Sequence, residues 1–124
     1  MTISSLVAAS LLTLTACASS AVVLGSTQAG PYTFDVSYEG PVPTEAGAKT
    51  RMILKATAGG MPTSIVSWIG PAEVPAAEKV AATFDPADSD YDTDLTVPSP
   101  LPAGAKYYFD VNTNGTIVTG SKDL

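Results

Sequence analysis

From Tyr32 onward, apolar and polar residues alternate in short runs separated by Gly, Pro and acidic residues. In Tyr32-Thr-Phe-Asp-Val-Ser-Tyr38 the aromatic residues and Val36 share one side, and Asp35 takes the other. Thr50–Ala56 places Met52 and Leu54 together, Thr63–Ile69 carries Trp68, and Tyr91–Val97 lines up Tyr91, Thr93, Leu95 and Val97. In Lys106–Val111, Tyr107, Phe109 and Val111 oppose Lys106, Tyr108 and Asp110. A period of two marks half-buried strands. Asn114-Gly115, between Val111 and Thr116-Ile117-Val118, supplies the two positive-φ positions of a type I′ hairpin turn. With Lys79–Phe84 as a further strand or edge segment, seven strands are predicted. The breakers between them are Gly40-Pro41-Val42-Pro43, Ala58-Gly-Gly-Met-Pro62 and Pro98-Ser-Pro100. The expected fold is all-β, an antiparallel sandwich over residues 31–124 with Trp68, Leu95, Tyr107, Phe109 and Val111 in its core. Residues 18–30 read as a short linker.

Leu101, Gly104, Tyr107, Phe109 and Val111 resemble, at matching spacing, the penultimate strand of fibronectin type III and related immunoglobulin-like domains. Ser67-Trp68-Ile69-Gly70-Pro71 is similar to the Trp-x-x-Pro strand end of such modules. The resemblance spans roughly residues 31–120. It implies an immunoglobulin-like sandwich of about seven strands, in which the Tyr107 hydroxyl closes the preceding loop by bonding upstream backbone. Trp68 is placed on the third strand, since two good strands precede it, whereas the fibronectin-type register would put it on the second. Such sandwiches host many unrelated functions, so the resemblance speaks to fold alone.

The N-terminal third differs in kind. Residues 1–34 contain no charged side chain, and Leu6–Ala16 is an uninterrupted run of apolar and small residues. That length suits a signal peptide and falls short of the roughly 20 residues a membrane-spanning helix needs. Leu14-Thr15-Ala16-Cys17 resembles the bacterial lipobox. The resemblance implies cleavage before Cys17, acylation of its thiol, and, with Ala18 in the next position, sorting to the outer membrane. The opposing reading keeps residues 1–17 as an uncharged helix or arm docked on a neighbouring subunit, since Met1–Ser5 lacks the Lys or Arg of an export signal.

Charge and residue usage narrow the chemistry. The 124 residues carry a net charge of −6, which disfavours nucleic acid as a partner. There is no histidine and only one cysteine, so the imidazole-based nucleophile pairs, a Cys/His zinc site and an intrachain disulfide are all excluded. Glu73 and Glu78 lie in a proline-rich stretch with nothing to fix their separation, and read as solvated charges. No catalytic residue is assigned, and the chain does not read as an enzyme. The concentrated polar feature is Asp85–Asp94, which holds five of the twelve acidic residues. Asp88, Asp90, Asp92 and Asp94 alternate, so an extended chain turns all four the same way. Hard carboxylate oxygens at that spacing suit calcium, the one cofactor the chain suggests. The competing reading is a solvated acidic face that discourages edge pairing.

These readings converge on a non-enzymatic envelope lipoprotein whose small domain binds a protein partner or builds a structure, held at the bacterial outer membrane or cell surface by its lipid. The alternative is a virion or filament subunit, such as a capsid decoration protein, whose retained arm contacts its own subunits.

Overall fold

The computed structural model describes residues 21–124; the apolar segment and Leu14-Thr15-Ala16-Cys17 lie outside them. Nine strands are found among the described residues: β1 Val22–Ala29, β2 Tyr32–Glu39, β3 Lys49–Ala58, β4 Ser64–Gly70, β5 Val80–Ala81, β6 Thr83–Asp85, β7 Asp90–Thr96, β8 Lys106–Thr113 and β9 Thr116–Asp123. Their pairings are all antiparallel. They form a five-stranded sheet in the order β1-β2-β3-β7-β6, facing a four-stranded sheet in the order β5-β4-β8-β9. Setting β1 aside, this is the A-B-E-D against C′-C-F-G arrangement of an immunoglobulin-like sandwich.

The alternating positions build the core. Phe34 and Val36 from β2, Met52 and Leu54 from β3, and Tyr91 and Leu95 from β7 meet Ile65 and Ile69 from β4 and Tyr107, Phe109 and Val111 from β8. Each such side chain contributes about 1.5–3 kcal/mol when taken out of water. The β8–β9 hairpin turns where the Asn-Gly pair predicts, with Thr113 opposite Thr116 and φ of 52° at Asn114 and 93° at Gly115.

Four expectations need correction. Residues 22–29, read as linker, are β1. It pairs with β2 through a two-residue connection, Gly30-Pro31, whose first residue has φ 57°, the signature of a type II′ turn. β1 also reaches across to the other sheet: Thr27 Oγ1 donates to the Ser121 carbonyl (2.6 Å) and Lys122 Nζ to that of Ser26 (3.3 Å). Second, Lys79–Phe84 is not one strand. β5 and β6 belong to different sheets, and between them the Ala82 N–H donates to the Ile65 carbonyl at 2.9 Å as the chain crosses over.

Third, Trp68 is buried (3% exposed) but outside the core cluster. It lies opposite Tyr108 in register, on the outer face of its sheet, whereas Ile65 and Ile69 point inward. There its ring stacks on Tyr108 at 5.6 Å, Lys79 Nζ sits 4.6 Å from its centroid, and its Nε1 donates to the Pro71 carbonyl at 2.8 Å. Lys79 is held in place by Asp110 at 2.8 Å, which also accepts from Thr119. Fourth, Tyr107 does not close a loop. Its hydroxyl has no backbone partner and points into the core toward Ser67, where burial pushes the phenol far above its ordinary value. Tyr91 makes a bond of the expected kind instead, donating to the Pro62 carbonyl at 2.8 Å. Tyr107 is fully buried between the sheets, so its hydroxyl faces side chains of the core.

Candidate functional site

The acidic stretch folds into the β6–β7 hairpin. Asp85 ends β6 and Asp90 begins β7, directly opposite each other, with Pro86–Ser89 as the connection. Asp85 Oδ1 accepts the Ala87 N–H at 3.0 Å, the Asx turn that an Asp-Pro start favours. Ser89 then takes φ 56° to return the chain into β7. This turn brings oxygens of the Asp85, Asp88 and Asp90 carboxylates within 4.8 Å of one another.

Asp90 is the unusual member. It is 9% exposed, and its Oδ1 is shielded from solvent with no hydrogen-bond partner; Asp92 Oδ1 is likewise shielded and unpartnered. Burial pushes the Asp90 carboxyl up to about 6, with Asp92 next, then Asp88 and Asp85, all acting in the same direction. Comparison with protein-family models, curated proteins and solved structures finds no match.

The predicted four-carboxylate row is only partly assembled. Asp88 leaves it because it sits in the turn, not on the strand. Asp94 keeps the expected face but is claimed by Arg51, whose Nε and Nη2 bond its two oxygens at 2.8 and 3.3 Å. The guanidinium holds the Asp94 carboxyl below its ordinary value. Both partners are about half exposed, so the pair contributes less than about 1 kcal/mol. Asp90 and Asp92 remain on the outer side of β7, next to Asp85. That last residue is absent from the sequence-based set, because only strand pairing places it opposite Asp90. The available signal was Asp85-Pro86, a turn-forming pair between two strand-like runs.

A pH dependence follows for the metal-free protein. The folded state holds the Asp90 proton more tightly than the unfolded chain, where aspartate titrates near about 3.9. The contribution is thus fully present below the unfolded value of about 3.9 and is lost as the pH rises through about 6. Asp90→Asn should remove that fall. Urea denaturation of parent and variant across this window, in the presence of a chelator, reads it as a difference in slope. Parallel stability profiles would contradict it.

Proposed function

We propose that the protein is a non-enzymatic bacterial envelope lipoprotein whose immunoglobulin-like sandwich serves as a binding or structural module. The observation that carries this reading is the placement of the chain's only cysteine. Cys17 completes the lipobox-like Leu14-Thr15-Ala16-Cys17, and β1 begins at Val22. Only four residues, 18–21, then separate the acylated residue from the first strand. Fully extended, five Cα–Cα steps span about 18 Å, so the sandwich would ride close to the bilayer surface. The lack of any histidine removes the usual acid–base partner of a nucleophile and supports a non-catalytic role.

Lipidation is directly testable. In a bacterial host that processes lipoproteins, a clickable palmitate should label the protein, and Cys17→Ser should abolish the label. The intact mass should correspond to a chain beginning at acylated Cys17. An unlabelled protein that retains Met1 would reject this reading in favour of a virion or filament subunit with an uncleaved N-terminal arm.

A further inference from the structure

We propose that Asp85, Asp88 and Asp90, gathered at the β6–β7 hairpin, form a calcium site. Calcium binds carboxylate oxygens at about 2.3–2.6 Å, so oxygens sharing one ion lie within about 5 Å of each other. The three carboxylates from Asp85, Asp88 and Asp90 already meet that limit at 4.8 Å. The second observation is independent of this spacing. Asp90 is more than nine-tenths withdrawn from solvent, yet its Oδ1 bonds nothing. A buried acceptor without a donor is destabilising, and carboxylates need a positive partner when buried.

Among the described residues no side chain fills that role for Asp90. The groups acting on Asp90 are Asp92, Asp88 and Asp85, all acidic. On the neighbouring strand β3, Arg51 is engaged by Asp94 and also acts on Asp92, and Lys55 makes no ion pair with any of the three. A bound cation would satisfy the orphaned Asp90 oxygen and relieve the mutual repulsion of the three carboxylates. It would also tie the three-residue edge strand β6 to β7, where Phe84 packs on Tyr91 at 5.1 Å.

The donor set selects the ion. With oxygen donors only, no imidazole in the chain and no thiolate among the described residues, zinc and copper have no preferred ligand. Magnesium demands near-ideal octahedral geometry and gives up water reluctantly, whereas calcium accepts the irregular arrangement that a four-residue turn offers. The cluster differs from an EF-hand: its ligands converge across a hairpin, and the acidic residue of the row farthest from the turn is already paired.

The test uses the full chain in chelator-treated buffer, titrated with calcium chloride by calorimetry and followed by thermal melting. A dissociation constant of about 0.1–1 mM is expected, the range of extracellular calcium modules. At a tenfold excess over that constant the melting temperature should rise by about 4–8 °C. Magnesium at equal ionic strength should give less than half that rise. Asp88→Asn, an exposed turn residue whose loss leaves the fold intact, should weaken calcium binding about tenfold or more, and Asp90→Asn should do the same. Asp94→Asn should bind calcium as the parent does. Equal melting temperatures with calcium, magnesium and chelator would overturn the proposal. So would a calcium response that survives in Asp88→Asn and Asp90→Asn, or one lost in Asp94→Asn alone.

Discussion

Phe109→Ala should destabilise the protein by about 3–5 kcal/mol, as much as many domains of this size possess. Phe109 is fully buried in β8 and contacts the sandwich from both sheets. Its ring meets Phe34 of the opposite sheet edge-on, with centroids 5.4 Å apart at 81°, and lies 5.6 Å from the ring of Tyr107. Edge-to-face pairs of this kind add about 0.5–1.5 kcal/mol beyond the area they bury. Truncation removes both contributions and leaves a cavity between two sheets, whose hydrogen-bonded strands have little freedom to collapse into it. Urea denaturation with an unchanged slope should report the loss as a shifted midpoint. A change below about 1 kcal/mol would mean the two sheets do not depend on this contact.

How much of this arrangement is legible in the chain depends on the range of the interaction concerned. Period-two alternation is a local property, and it correctly places β2, β3, β4, β7, β8 and the start of β9, together with the inward rows of Met52 with Leu54 and Tyr107 with Phe109 and Val111. The Asn114-Gly115 hairpin is local as well, since two residues determine its backbone. What alternation leaves open is which phase of a strand faces the core. In β4 one phase offers Ile65, Ser67 and Ile69, and the other Val66 and Trp68. Size favours the tryptophan, but the register with β8 decides the matter. Ser67 lies opposite Phe109 and Trp68 opposite Tyr108, so the phase containing a serine goes inside.

The same limit applies to the acidic hairpin. The spacing of Asp88, Asp90, Asp92 and Asp94 holds only if all four are extended, and the turn at Pro86–Ser89 removes Asp88 from the strand while bringing in Asp85. The Asp94 partner, Arg51, is 43 residues away in the chain and adjacent only through β3–β7 pairing. β1 was hidden for a different reason. Its residues are mostly exposed or half-buried, Ala29 alone being fully buried, and a bulge near Gly25 breaks its period.

Gly120 is the partner that makes room for Phe109, and filling its space should be nearly as damaging as emptying that of the ring. The two residues lie opposite each other in the β8–β9 register. A Cβ at position 120 would stand 2.5 Å from Phe109 Cζ, 2.8 Å from its Cε2 and 2.9 Å from Ala29 Cβ. These separations are well inside van der Waals contact, and the obstacle on one side is a ring already packed against Phe34. The ring is fully buried, and Ala29 is anchored by β1–β2 pairing. Gly120→Ala should therefore cost about 2–3 kcal/mol through overpacking. Backbone strain is not the cause, because Gly120 lies outside the left-handed region that favours glycine. The distinguishing experiment is a double-mutant cycle with Phe109→Leu, measured by urea denaturation. The shorter side chain costs stability alone but opens space for the added methyl group. The double variant should be more stable than the sum of the single losses allows, by about 1 kcal/mol or more. Strict additivity would show that the two positions do not compete for the same space.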